Sequence, residues 1–321
     1  MLIAIFYTSI NFSYNEGEIE MIEPKLYTLL KVYETKSFTK AAQMLNLTQP
    51  AVSQHIKSIE DELGIKIFNR TQNDLKLTPE GEIIIKYARR MTTLYKNLQV
   101  AIEDAKKQVK RVVVGVTPTV ENNFIMSYVF SKYLNSKDNV HIRIISDSIK
   151  NLYSKLKTYE IDFAIVDGKM RDQDFASLLL DTDYLVLAVA NDNPLSKKSI
   201  VNLLDLRKEK FILRLPGSGT RSLFEAHLQT NNLSIEDYNV VFEADNISTI
   251  KDLVSKNVGV SILAKSACLE DVSSKKFKII QIENVSMLRE INIIYHHDFP
   301  HTDMIKDIVD IYNDSIKIYQ G

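Results

Sequence analysis

Apolar side chains recur at helical spacing through the first third of the chain and in strand-length runs after it. Leu26, Leu29, Leu30 and Tyr33 keep the helical period from Pro24 to about Glu34. Ala41, Ala42 and Leu45 then mark one side of a second, short helix, with Thr39 read as its N-cap. Val52, Ile56 and Ile59 mark one side of a third, with Thr48 as N-cap and Pro50 in the opening turn, where a missing N–H costs nothing. Leu63-Gly64 ends that helix. Ile65–Phe68 and Leu75–Leu77 flank a turn from Thr71 to Asp74, which predicts a small two-stranded wing. Thr78-Pro79-Glu80-Gly81 opens a long helix with a threonine cap, a proline at its first position and acidic residues in its first turn. Along it Ile84, Ala88, Met91, Tyr95, Leu98, Ile102 and Ala105 alternate in steps of four and three, which predicts a coiled-coil seam. A core helix of a larger domain is the alternative, weakened by the charged opposite face. The basic run Lys106, Lys107, Lys110 and Arg111 ends the helix favourably for its dipole.

Beyond Arg111 the pattern becomes β-branched runs separated by helical stretches. Val112–Val116, His141–Ile145, Phe163–Val166 and Tyr184–Val189 read as strands, with helices over Asn122–Leu134 and Ile149–Tyr159. A second set follows: Phe211–Leu213, a helix from about Arg221, Val240–Glu243, a helix over Ile247–Lys256, and Val260–Leu263. A last strand, Ile291–Tyr295, and a helix from His301 to about Ile318 close the chain. The fold class expected is α/β, a region of two Rossmann-like subdomains behind a helix-rich winged helix-turn-helix.

The outer face of the third helix carries Gln49, Ser53, Gln54, His55 and Lys57, side chains suited to base edges and phosphates. Residues 37–70, SFTKAAQMLNLTQPAVSQHIKSIEDELGIKIFNR, fill almost without a gap the pattern S-F-T-x-A-A-x-x-L-x-x-[ST]-Q-P-A-V-S-x-x-I-x-x-[IL]-E-x-x-L-G-x-x-[IL]-F-x-R. In this the chain resembles the LysR-type transcriptional regulators. The resemblance covers residues 21–321 and is strongest in the helix-turn-helix. It implies DNA contacts from Thr39, Thr48, Gln49, Pro50, Ser53, Gln54, His55 and Lys57, and places Arg70, beside the wing, to reach a phosphate or the minor groove. It also implies that the last strand and helix return to the first α/β subdomain, leaving two lobes joined by two crossing strands as in type 2 periplasmic binding proteins.

Charge supports the assignment of ends. Residues 21–110 hold 15 basic and 10 acidic side chains, whereas residues 111–321 hold 25 and 28, so the positive part is the one with the helix-turn-helix. The single cysteine, Cys268, suits a reducing cytoplasm and excludes a paired-cysteine redox sensor within one subunit. Residues 1–20 fall outside the pattern. Their apolar start is too short for a membrane span and lacks the features of a signal peptide, so they read as a disordered or spurious extension with translation starting at Met21. The domains expected are therefore 21–78 for DNA binding, 79–110 as the dimerising linker helix and 111–321 for the effector.

Two turns stand where open α/β sheets bind ligands, beyond the carboxyl ends of strands. Gly115-Val116-Thr117-Pro118-Thr119 leaves the first strand into a helix, offering Thr117, Thr119 and N–H groups to an anion. Pro216-Gly217-Ser218-Gly219-Thr220-Arg221 resembles the GSGTR segment of many members of the family, and offers Ser218, Thr220 and Arg221. The competing reading is that these residues only cap helices and make turns, with Arg221 paired inside the protein. In many members a hydroxyl residue that contacts the effector stands thirteen positions before the Asp of Ile161-Asp162; here that position is Ile149. Either Ser148 substitutes, or the cleft is less polar.

The expected ligand is a small anionic effector, with promoter duplex DNA and RNA polymerase, if the protein activates, as partners. Homodimers pairing into homotetramers are expected too. No cofactor, metal or membrane association is expected. His296, His297 and His301 lack companions at ligand spacing, and no nucleophile motif appears, so the chain does not read as an enzyme. The rival reading makes residues 111–321 a solute-binding or ligand-converting α/β protein with an incidental helical N-terminus.

Overall fold

The structure is a computed structural model that describes residues 24–71, 74–169, 172–283 and 287–320. The expectation for residues 1–20 and the Met21 start lie outside the described residues. The chain divides into two compact units between Val100 and Ala101.

The first unit holds α1 (Pro24–Thr35), α2 (Phe38–Met44), α3 (Gln49–Leu63), an antiparallel pair β1 (Phe68–Thr71) and β2 (Asp74–Leu77), and most of α4 (Pro79–Lys107). Leu29, Val32, Ala41, Ala42, Val52, Ile56, Ile59, Ile67, Ile85 and Ala88 form its core. Ala41 and Ala42 are buried with Val52 and Ile56, and their small size permits close approach of α2 and α3. Each fully buried leucine or valine of this set adds about 1.5–3 kcal/mol of transfer free energy. The cap of α2 is Ser37, not Thr39: Ser37 is extended and its Oγ accepts from the Lys40 N–H at 3.2 Å, while Thr39 lies inside the helix. Thr48 caps α3 as expected, accepting from the Ala51 N–H at 3.3 Å, and Gly64 ends it with φ 65°.

The apolar positions expected along α4 divide between two environments. Ala88 is buried and Ile84 packs against the core of the first unit, because the first turns of α4 belong to the winged domain. The exposed apolar stripe runs instead through Ile83, Tyr87, Met91, Leu94, Leu98 and Ile102. Of the basic run, only Lys106 and Lys107 lie in the last turn; Lys110 and Arg111 are already in a strand.

The second unit continues with β3 (Lys110–Val116), α5 (Pro118–Glu121), α6 (Phe124–Ser136), β4 (Val140–Ser146), α7 (Ile149–Lys157), β5 (Phe163–Asp167), β6 (Phe175–Val189) and β7 (Ile200–Val201). Then come β8 (Lys210–Arg214), α8 (Gly219–Thr230), β9 (Asn239–Ala244), α9 (Ile247–Ser255), β10 (Ser261–Ala264), α10 (Lys265–Ser273), β11 (Lys278–Ile282), β12 (Leu288–His296) and α11 (Thr302–Gln320).

Lobe I is the sheet β4-β3-β5-β12-β6, parallel from β4 to β5 and antiparallel at β12 and β6. Val114, Phe163 and Ile293 face α6 and α11, and Leu152 and Leu156 of α7 cover the other face. Lobe II uses the second half of β6, flanked by β10 and β11, with β7 beside β11, the parallel pair β8 and β9, and a single bridge from Phe211 to Val260. Its sheet is covered by α8 on one face and by α9 and α10 on the other.

Both crossings are explicit. Leu180 faces lobe I and Leu185 lobe II on β6, and Met287 packs in lobe II just before β12 while Ile291 packs in lobe I. The sequence pattern assigns the second half of β6 but not its first half, α10, β7 or β11. The helix expected over Asn122–Leu134 is α6, which Asn123 caps by accepting from the Ile125 N–H at 2.9 Å, and the short α5 before it is a separate element.

Candidate nucleic-acid interface and effector cleft

Much of the helix-turn-helix signature turns out to hold the fold. Phe38 meets Phe68 edge to face with ring centroids 6.0 Å apart, tying α2 to the wing. Glu60 accepts from the Ile67 N–H at 2.9 Å and from Lys66 Nζ at 2.8 Å, fixing the chain reversal before β1. Burial pushes the Glu60 carboxyl up, but its hydrogen bonds and the Lys66 charge outweigh that and hold it below the usual value. A side chain at Gly81 would meet the Ile67 carbonyl oxygen at 2.2 Å, so the start of α4 needs glycine to pack on the wing.

With Val52, Ile56 and Ile59 turned inward, α3 presents Gln49, Pro50, Gln54 and Lys57 to solvent, with Ser53 half-buried beside them. Gln49 Nε2 donates to Ser53 Oγ at 2.9 Å, which holds the two in one arrangement. His55 is placed differently from the expectation: it is half-buried and its Nδ1 lies 2.9 Å from Thr28 Oγ1, so it links α3 to α1. Thr39 and Thr48 are exposed at the starts of α2 and α3. Arg70 pairs with Leu75 in the wing, and its side chain is outside the described part.

In the second unit Thr117 and Thr119 are buried at the end of β3. Thr117 makes no side-chain cap, and α5 has four residues, so the anticipated helix dipole at this turn is confined to one turn. Thr117 Oγ1 instead accepts from the Asp167 N–H at 3.2 Å. Asp167 forms an ion pair with Arg289, and Arg289 Nη1 donates to Thr220 Oγ1 at 3.3 Å. A chain of polar contacts thus joins Thr117 of lobe I to Thr220 of lobe II. Arg289 was not foreseen. Its signal is a charged residue just ahead of the buried Ile291, Ile293 and Ile294 of one strand, and a charge buried there demands partners.

Ser218 and Ser148 are helix caps, accepting from the Arg221 and Asn151 N–H groups, each at 3.3 Å. Ser148 is exposed, while Ile149 reaches over Gly168, where an added Cβ would meet Ile149 Cδ1 at 2.7 Å. Ile149 thus lends an apolar side chain beside the turn that follows β5.

Arg221, offered for the effector, is placed as the competing reading has it, paired inside the protein. Its guanidinium is consumed by Glu225 at 2.6 Å, by Glu243 and by the Arg214 carbonyl at 3.2 Å. Burial pushes its pKa down, but the two glutamates outweigh this and raise it. It borders a groove of about 510 Å³ along β9 with Tyr238 and Phe242.

Other candidates have structural partners. His296 Nε2 donates to the Leu156 carbonyl at 2.8 Å and the ring stacks on Tyr159 with centroids 4.5 Å apart. Cys268 is fully buried and its thiol is pushed up to about 12 by burial, which withholds the thiolate needed for redox chemistry. Among the described residues no cluster of three or more metal-ligating side chains occurs, and no helix is long and apolar enough to cross a membrane.

A capped recognition helix with a wing, followed by a two-lobed α/β domain with a polar floor between its lobes, defines a DNA-binding regulator carrying a ligand-binding domain. Residues 24–82 match the family described as bacterial regulatory helix-turn-helix protein, lysR family, and residues 105–316 match the LysR substrate binding domain. The chain belongs to the LysR family of transcriptional regulators. It is similar to an uncharacterized HTH-type transcriptional regulator of Methanocaldococcus jannaschii, 30% identical over 279 residues that cover 85% of this chain and 93% of that one. A probable RuBisCO transcriptional regulator of Thalassiosira pseudonana is 28% identical, covering 87% and 94%. Full-length CbnR complexed with its target DNA shares the fold, with a TM-score of 0.64 at 16% identity over 91% of this chain and 98% of that one.

Proposed function

We propose that this protein binds promoter DNA as a homodimer through α3 and the wing, and that a small anionic effector between the lobes modulates that binding. The observation that carries the DNA reading is the Gln49–Ser53 pair on the outer face of a helix capped by Thr48. Preset polar side chains on a helix N-terminal half suit base edges in the major groove. The apolar stripe on α4 supports dimerisation, with effector domains pairing such dimers into tetramers.

For the effector, the two buried hydroxyls Thr117 and Thr220, from opposite lobes, supply polar groups at the floor, and Ile149 supplies an apolar wall. A carboxylate on an apolar body fits this lining. The protein then works in the cytoplasm as a regulator without a cofactor, and reaches RNA polymerase where it activates.

The test is the melting temperature of the full-length protein against a panel of small carboxylates and inorganic oxyanions. A ligand at one hundred times its Kd stabilises the folded state by about 2.7 kcal/mol. Thr117→Val should blunt that rise while leaving DNA affinity without ligand unchanged. A full response in Thr117→Val, or binding of neutral apolar compounds alone, would contradict the anionic site.

A further inference from the structure

The polar floor between the lobes has a geometry that is only partly complete. Arg289 stands at the start of β12, directly opposite Asp183 on β6, where both strands cross between the lobes. The side chains of Arg289, Asp167 and Asp183 are 6%, 6% and 5% exposed, so solvent does little to screen them.

Three partners surround the guanidinium, each tied to a different part of the domain. Asp167 ends β5 of lobe I, and its backbone N–H is held by Thr117. Thr220 lies in the first turn of α8 in lobe II. Asp183 is bound to α10 of lobe II, accepting from Ser266 Oγ at 2.7 Å and from the Ser266 N–H at 3.3 Å.

Asp183 Oδ2 lies 3.7 Å from Arg289 Nη2, beyond hydrogen-bond length, and both Nη2 and Nε are buried without an acceptor. Buried donors left unmade are costly, so this arrangement is one from which a small lobe movement gains hydrogen bonds. Arg289 and Asp183 are paired residues on the two crossing strands, so a change of twist there, with Ser266 holding the carboxylate to α10, would alter the Asp183–Nη2 distance.

We infer that Arg289 is a positioning residue for the effector response, an interlobe latch joined to lobe I through Asp167 and to lobe II through Thr220, half-made here and completed when the lobes close. The inference rests on the reading that the lobes close on an effector. It adds the element that both lobe positions compete for. The Asn122–Ser248 contact at 3.3 Å, also between lobes, joins exposed or half-exposed side chains and restrains the movement far less.

The experiment is the interlobe distance distribution of the full-length, ligand-free protein, measured by pulsed electron resonance between spin labels at Lys132→Cys on α6 and Lys256→Cys after α9, in a Cys268→Ala background. The parent should give one narrow distribution. Arg289→Gln and Thr220→Val should each broaden or shift it, and Arg289→Lys, which keeps a charge for Asp167, should stay near the parent. Unchanged distributions in Arg289→Gln and Thr220→Val, even with a lowered melting temperature, would show that the cluster only stabilises the hinge and would overturn the latch. If Arg289→Gln does not fold, Thr220→Val and Asp167→Asn decide the matter alone. No effector or DNA enters the measurement, so its failure is separable from failure of the ligand reading, which the thermal-shift panel reports.

Discussion

Gln49 and Ser53 are held together before any DNA arrives, while His55 one turn along is committed to Thr28. Alanine at Gln49 or Gln54 should therefore cost about 1–3 kcal/mol of specific DNA affinity with no change in melting temperature, as a lost base contact does. His55→Ala should instead lower the melting temperature, which a thermal melt of the purified variants would show. Asp162 offers a pH test. Burial pushes its carboxyl above the usual value, against the Val113 N–H bond at 2.6 Å and the His301 charge, which lower it. A raised folded-state pKa means that stability is fully present below the unfolded value and is lost as pH rises through the folded one. Asp162→Asn keeps an acceptor for Val113 and removes the buried charge, so its advantage in melting temperature should grow from pH 4 to pH 8. A constant offset across that range would contradict the assignment. At this scale the sequence was legible where side-chain type determines the role, as at Thr48, Val52 and Gly64. It misplaced the cap at Thr39 because Ser37 and Thr39 are both good caps and only the backbone decides between them. It missed Arg289 because the partners of a buried arginine lie on β5, β6 and α8, far away in sequence.

Among the elements, α4 carries the sharpest consequence. Its exposed apolar side chains, Met91 and Leu98 among them, lie on one stripe, whereas Ala88 is buried in the winged domain. Met91→Glu with Leu98→Glu should abolish the dimer and high-affinity DNA binding together, since unpaired charges cannot be buried between helices. Ala88→Leu should overpack the core, lowering stability by about 1–3 kcal/mol while the dimer survives. Analytical ultracentrifugation and thermal melts of both variants separate the two faces. Periodicity located this helix well but set its apolar stripe one residue off at the start, because the same turns serve the winged core first. Strands with apolar runs were found for the same reason that β11, Lys278–Ile282, was not: lysine and glutamine break its short pattern.

At the scale of the whole molecule, a basic winged unit and a slightly acidic two-lobed unit follow one another along the chain. Family membership rests on both parts, since the two matched segments cover nearly all of the described chain. The charge division was readable from composition; the double crossing of β6 and β12 between lobes was readable only through resemblance, because strand pairing over a hundred residues leaves no local trace. The proposed function requires that α3 read DNA sequence. Fluorescence anisotropy of the full-length protein on duplex DNA from upstream of its own gene, against a scrambled duplex at the same salt, tests it most directly. The parent should prefer its own DNA by at least about 1,000-fold, and Gln49→Ala with Ser53→Ala should lose most of that preference while keeping the weaker, salt-dependent binding to the scrambled duplex. Equal affinity of the parent for both duplexes, or an undiminished preference in the double variant, would contradict it.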